Sequence, residues 1–294
     1  MKFRAHETFF IRKGWLYKGI RGVDANSGVF IDKKENPMDI LGMGSNMVKS
    51  LRYWMQATGL TVEEAYKGKA RLQKLTPLGE IIKNHDPYME ELGTLCLVHY
   101  RLASNKELAT AWYFFFNHFS MGEFQKDDFV TALANYAAMA NEAPAISSLE
   151  DDFNCVINTY VERKKINPVR VQPESNIESP LSELGLIGIG NSQDRSFKKM
   201  APKHGTISPY ILLAVIRDQC GDKGEVRISD LLTSPCNIGR IFNLDIITMM
   251  RELNQLAAMD LISIVRTAGL DVVKIKSKLS FYDCVEVYYL SLNN

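Results

Sequence analysis

Apolar residues along the chain recur mostly every three or four positions, which predicts a mainly helical protein with a few short strands. Residues 45–58 (SNMVKSLRYWMQAT) show this in a short span. At about 100° per residue, Met47, Val48, Leu51, Trp54 and Met55 share one face. Asn46, Lys49, Tyr53 and Gln56 fall opposite, with Ser50 and Arg52 on the flanks. Gly42 and Gly44 break any earlier helix, Ser45 is placed to serve as N-cap, and Gly59 suits the left-handed position after the last turn. A basic, strand-competent stretch follows at 66–75. Thr76 and Pro77 then open a second helix as cap and first residue, running to about Asn84, and Pro87 turns Asp86 away from helical angles.

Upstream, residues 22–37 read as a loop with a short strand at 29–31. Downstream, helices are predicted over 91–103, 107–119 and 126–139, and another, capped by Ser147 or Ser148, reaches about Glu162. The aromatic run at 111–116 reads as core. Residues 163–206, rich in Pro, Ser, Asn and Gly, read as a boundary with one ordered island, where Ser179 caps a single turn that Gly185 ends. Beyond Ser208, helices at 209–219 and 228–233, and a third capped by Asn243, precede strands at 261–266 and 272–275. Residues 281–292 read as a final strand. The fold class expected is mainly α with small β hairpins, with winged helix-turn-helix modules at both ends joined by a helical middle. The expected division is 1–90 (DNA-binding module), 91–165 (acidic and aromatic helices), 166–206 (linker) and 207–294 (second module).

Composition changes this picture in one respect. A hydrophobic content of 46% and a charged content of 23% are ordinary globular values, and the net charge is only +1. Yet residues 1–83 carry fifteen Lys and Arg against eight Asp and Glu, while 84–160 carry three against eleven. A basic end beside an acidic middle points to a polyanion contact on the first. Five cysteines, odd in number and without a Cys-x-x-Cys pair, read as buried reduced thiols of a cytoplasmic protein. No apolar segment at the N-terminus resembles a signal peptide, and Arg101, Asn117 and His118 interrupt the apolar helices short of a membrane span.

The donor-rich face at 45–58 suits base edges and phosphates, so Ser45, Asn46, Lys49, Ser50, Arg52, Tyr53 and Gln56 are the candidate DNA-binding residues. Lys67, Lys69, Arg71 and Lys74 of the following hairpin are placed on phosphates. The alternative is an ordinary amphipathic helix with a wet polar face. The corresponding helix of the second module shows Thr248, Arg251 and Gln255 flanked by Asp245 and Glu252, acids that would oppose phosphates, so that module is expected to pack against protein. For catalysis, His6 beside Glu7 could bind metal or move protons, although neighbours on a strand point to opposite faces. Glu150, Asp151 and Asp152 form the densest carboxylate cluster, the right type for Mg²⁺ or Mn²⁺. Acids in a first helical turn would equally oppose the helix dipole. No Gly-rich nucleotide loop, nucleophile elbow or zinc spacing is present in the sequence.

Several stretches together carry a family likeness: His6-Glu7-Thr8-Phe9, Arg12 with Trp15-Leu16, Leu41-Gly42-Met43-Gly44-Ser45-Asn46-Met47-Val48 and Arg52-Tyr53-Trp54. Thr76-Pro77-Leu78-Gly79, Asp86-Pro87-Tyr88, Ser179-Pro180-Leu181 and Thr267-Ala268-Gly269-Leu270-Asp271 extend it over nearly the whole chain. On these motifs the chain resembles a bacterial family found in DNA phosphorothioation defence islands, the SspB-like proteins. The resemblance implies a cytoplasmic, DNA-acting component that works beside a cysteine desulfurase, a sulfur-transferring ATP pyrophosphatase and an ATPase, with DNA nicking as the SspB role. No nicking residue follows from a motif. Residues and resemblance together lead to a DNA-binding, anti-phage defence component with no tightly bound cofactor; whether it nicks DNA stays open, and nicking would call for Mg²⁺ or Mn²⁺. A transcription regulator acting as a homodimer and an assembly adaptor are the two non-enzymatic alternatives.

Overall fold

A left-handed glycine starts the first helix: Gly14 (φ 81°) turns the chain into α1 (Trp15–Ala25), which buries Trp15, Leu16, Ile20 and Val23. The structure, a computed structural model, describes all residues except 33, 67, 69, 163–177, 192–193, 268–269 and 293–294. Helix α2 (Pro37–Leu41) is capped by the Asn36 side chain and ended by Gly42 at φ 59°. Helix α3 (Ser45–Ala57) follows, with Gly44 rather than Ser45 in the N-cap position and no side-chain cap. Ser45 is already helical, so its expected capping role is not realised. Helices α1 and α3 cross closely because Gly19 lies against the Met55 thioether, where a Cβ would overlap it.

Gly59 (φ 69°) turns the chain into β1 (Thr61–Tyr66), which pairs antiparallel with β2 (Ala70–Leu75), Thr61 opposite Leu75 and Tyr66 opposite Ala70. The strand expected at 29–31 is absent. These residues form turns, and it is Ser27 whose carbonyl accepts the Gln73 N–H along the edge of β2. Thr76 caps α4 (Pro77–His85) by accepting the Gly79 N–H, with Pro77 first, as expected.

The middle of the chain is helical: α5 (Leu92–Ser104), α6 (Thr110–Asn117), α7 (Lys126–Met139) and α8 (Ile146–Tyr160). The aromatic run is core, with Trp112, Phe114, Phe115 and Phe116 all buried in α6. Helix α8 starts at Ile146, earlier than its serines suggested, so Glu150, Asp151 and Asp152 lie past its first turn and no acid occupies that turn. The dipole explanation for the acidic cluster therefore fails. Short strands β3 (Glu123–Phe124), β4 (Ile187–Ile189) and β5 (Phe197–Lys199) form one sheet in the order β3-β5-β4. This sheet, with the Ser179-capped 3-10 turn Pro180–Leu184, stitches the described part of 178–206 into the helical middle, burying Leu181, Leu184, Leu186 and Ile187.

The last third repeats the first in outline. Helix α9 (Pro209–Cys220), β6 (Glu225–Arg227), α10 (Ile228–Thr233), α11 (Ile238–Ile241) and α12 (Ile246–Ala258) lead into β7 (Ile262–Thr267) and β8 (Leu270–Ile275), in a sheet of order β6-β8-β7. Asp245, not Asn243, caps α12 by accepting the Thr248 N–H at 2.7 Å; the Asn243 amide instead donates to the carbonyls of Leu186 and Met200. Residues 281–292 form a helix, α13 (Phe281–Leu292), not a strand. Its buried Phe281, Cys284, Val285, Tyr288 and Tyr289 follow the 3.6-residue period, and Ser280 and Asp283 cap each other at its start. Helix α13 returns to the first third, where Tyr289 stacks on His85 and the Tyr288 hydroxyl accepts the Gly93 N–H. One hydrophobic cluster consequently runs from Phe10 to Tyr289.

His99 sits where α5, α8 and α11 meet, fully buried. Its Nε2 lies 2.8 Å from the Ile241 carbonyl, which only accepts, so that nitrogen carries the proton and Nδ1 accepts from the Tyr160 hydroxyl at 2.8 Å. Burial pushes the imidazole pKa down to about 4, against the partial support of the Ile241 carbonyl. Between pH 6.5 and 4 the unfolded chain therefore takes up a proton that the native state refuses, and stability falls with pH across that window. The loss at pH 4 relative to pH 7 is expected to reach about 3 kcal/mol from this group. Urea unfolding of wild type and His99→Gln at both pH values reads it: the variant should lose less on acidification, and equal losses would remove His99 as the cause.

Candidate nucleic-acid interface

Three expected DNA-binding residues, Ser45, Asn46 and Lys49, lie exposed along the first half of α3. The Lys49 ammonium has only a 3.4 Å contact to the Asn46 side-chain oxygen, within α3 itself. The second half of the helix is different. Ser50 is buried and donates to the Phe9 carbonyl at 3.4 Å, and Tyr53 is buried with its hydroxyl donating to the Leu108 carbonyl at 3.0 Å. Burial, reinforced by Asp152, pushes the Tyr53 phenol well above its usual range. Neither residue is available to a groove, which corrects the expectation for both.

Arg52 is half-buried, its Nε 2.7 Å from a Glu63 carboxylate oxygen on β1. The Gln56 amide donates to the same oxygen at 3.0 Å and to the Arg52 carbonyl at 3.1 Å. Glu63 thus fastens the hairpin to α3 and neutralises Arg52, so the sequence expectation of a free Arg52 is corrected too. The covering elements are the N-terminal strap, the loop before α6 and the hairpin, none of them visible in the periodicity of α3 alone.

On the hairpin, Lys74 pairs with Glu64 at 2.6 Å, Arg71 is exposed, and Lys67 and Lys69 lie outside the described residues. The sequence reading missed Lys18 and Arg21, exposed on α1 one turn apart. Their spacing opposite the buried Leu16, Ile20 and Val23 is the signal that marks them. Lys18 donates to the Leu41 carbonyl at 3.0 Å and so lies at the turn leading into α3. Among the described residues, Lys18, Arg21, Lys49 and Arg71 have no carboxylate partner.

The catalytic candidates meet in an unexpected way. The strap before α1 holds Arg4, Glu7 and Thr8 at positive φ and tucks His6 inside. His6 Nε2 lies 2.8 Å from Asp152 Oδ1, which also accepts the Arg4 N–H at 2.9 Å. The imidazole stacks on Trp54 and meets the edge of Trp112. Burial raises the Asp152 carboxyl above its usual range, although His6 and the Arg4 N–H oppose the shift. His6 is 0% exposed and Asp152 1%, so this pair fastens the strap to α8 and presents nothing to a phosphodiester. Asp151 pairs with Arg4 at 2.9 Å, Glu150 with Lys126 at 3.0 Å, and Glu7 is exposed. The three carboxylates are turned to Lys126, Arg4 and His6, and among the described residues no group of three or more His, Cys, Asp or Glu side chains converges.

In the last third of the chain, Glu252 is buried and contacts Arg251 at 3.2 Å and His204 at 3.6 Å, while Ile246 and Ile247 are exposed at the start of α12. All five cysteines are free, four of them buried and Cys236 half-buried. No helix among the described residues is long and apolar enough to cross a membrane.

The fold is that of SspB. A magnesium-bound SspB crystal structure superposes with a TM-score of 0.85 at 24% identity, covering 100% of this chain and 89% of that one. A second SspB crystal structure gives 0.83 at 24% identity, covering 99% and 87%. No curated protein matches the chain. The family model described as a protein of unknown function, DUF4007, matches residues 3–289, and the chain belongs to that family.

Proposed function

We propose that this protein is a cytoplasmic, DNA-engaging component of a bacterial DNA phosphorothioation and anti-phage defence system. The observation that carries the reading is that Lys49 and Arg71 stay exposed and, among the described residues, without a carboxylate partner, where the neighbouring Arg52 and Lys74 are neutralised. Two further features support it. The order α1-α2-α3-β1-β2 is that of a winged helix-turn-helix, as is the order of the last third. The full-length likeness to SspB supports the system, and with it a desulfurase, an ATP pyrophosphatase and an ATPase as partners. In this reading the first half of α3 enters the major groove through Ser45, Asn46 and Lys49. Arg71 of the hairpin meets phosphates.

Nicking to open the backbone for sulfur insertion is part of the proposal. One of the SspB structures is magnesium-bound. Among the described residues no group of three or more ligating side chains converges, so no step is routed through the ion. A protein contact through the second module is a second reading, favoured by the exposed Ile246 and Ile247 beside Asp245, where a DNA-reading helix would carry donors.

Hydrogen exchange of the full chain with and without a short duplex tests the DNA reading. Protection is expected at 18–21, 45–49 and 70–74. Protection confined to α12 and β7–β8 would move the DNA surface to the other end. Supercoiled plasmid incubated with Mg²⁺ or Mn²⁺ reads nicking separately, and an intact plasmid in both would remove autonomous cleavage.

A further inference from the structure

Tyr88 is 58% exposed, yet the chain on either side of it is pinned inside. Asp86 is buried, and its carboxylate accepts the N–H groups of Glu90 at 3.0 Å and Glu91 at 2.9 Å. Met89 is buried at φ 60°, an angle disfavoured for residues other than glycine and tolerated here in a turn locked from both ends. The result of that strained turn is one aromatic ring projected into solvent. Tyr17 of α1 packs against it, with ring centroids 4.5 Å apart and planes inclined by 31°. Two tyrosines in such contact, one largely exposed, form a rigid platform with few rotatable bonds.

Beside Tyr88 lies a cleft of about 350 Å³. Buried Leu16, Met89 and Pro180 contribute to it, Glu90 lines it, and Lys13 there is paired with Glu183 at 2.6 Å. Outside, Arg21 follows Tyr17 by one helical turn and is close enough to act on the Tyr88 phenol. Lys18 lies next to Tyr17 and reaches the turn before α3. Lys18 and Arg21 thus set two cations of α1 near the platform, neither with a carboxylate partner among the described residues.

We propose that the Tyr17–Tyr88 platform and its cleft receive one unpaired DNA base, an inference that rests on the DNA-binding reading above. An aromatic wall and apolar residues suit the flat face of a base, as in proteins that hold single strands by stacking. Glu90 can accept a hydrogen bond from an exocyclic amino group. Phosphates flanking that base would meet Lys18 and Arg21. Such a site would let the protein favour DNA with a locally opened strand over a closed duplex.

The test uses the full chain and three DNAs of one length: a closed duplex, a duplex with one bulged 2-aminopurine, and a single strand carrying it. Tighter binding of the bulged DNA than of the closed duplex is expected, with 2-aminopurine fluorescence quenched. Tyr88→Ala, at an exposed position, should melt like wild type, bind the bulged DNA about tenfold more weakly, lose the quench and leave duplex affinity unchanged. Tyr88→Phe should restore both signals. Bulge preference and quench that survive Tyr88→Ala would overturn the platform. Equal wild-type binding of bulged and closed DNA without quench would overturn it while leaving the duplex reading intact. If wild type binds none of the three, both readings fall.

Discussion

Asp152→Ala is expected to destabilise the fold by about 3–5 kcal/mol, the usual cost of removing one partner of a buried hydrogen-bonded pair. Among the described residues this carboxylate is the acceptor facing both His6 Nε2 and the Arg4 N–H, and its loss would leave both groups inside without one. The strap they hold also supplies the Phe9 carbonyl, which accepts the Trp54 indole N–H at 3.0 Å, so its release would loosen α3 from behind. Asp152→Asn keeps an oxygen in place and should fall between wild type and alanine. Denaturant unfolding of the three proteins reads the series. An alanine cost near the few tenths typical of surface positions would show that the pair does not fasten the strap. Plasmid nicking by a folded Asp152→Asn protein reads the candidacy of His6 and Asp152 for catalysis: nicking at the wild-type level supports a structural role.

The fold was legible where a local signal set each element. Helix α7 matched residues 126–139 because a capping box between Gln125 and Asp128 starts it, and α4 matched because Thr76 and Pro77 open it. Residues 281–292 misled because their apolar and aromatic residues fit two periods at once. The cap at Ser280 and Asp283, with burial against α9 and α4, selected the helix. The candidate surface was harder. Periodicity says which residues of α3 share a side but not how many sides become covered, and the partners of Ser50 and Tyr53 lie 41 and 55 residues away. The same limit hid the pairing of His6 with Asp152, 146 positions apart, although both were singled out separately. Glu63 was readable only as an acid in a basic hairpin; its place opposite Arg52 required the hairpin to fold back.

The consequence for DNA binding is specific. Charge counting along the sequence puts Arg52 among the phosphate contacts, but its guanidinium faces Glu63, so Arg52→Ala should leave the salt dependence of binding nearly unchanged while loosening the hairpin. Lys49→Ala with Arg71→Ala should do the opposite. Each removed phosphate contact releases one fewer counterion, so the pair is expected to weaken duplex binding by roughly 60-fold at 0.1 M salt, taking the term to vanish at about 1 M. The slope of log K against log salt should become shallower by roughly 1.8. Both residues are exposed and bear no part of the core, so the melting temperature should not move.

The direct test of a cationic wall on the N-terminal unit is therefore a salt titration of duplex affinity by fluorescence anisotropy, for wild type, the Lys49/Arg71 double variant and Arg52→Ala. A steep wild-type slope, shallower by roughly 1.8 in the double variant and kept in Arg52→Ala, is the predicted result. Wild-type affinity indifferent to salt, or a slope that survives loss of Lys49 and Arg71, would contradict it.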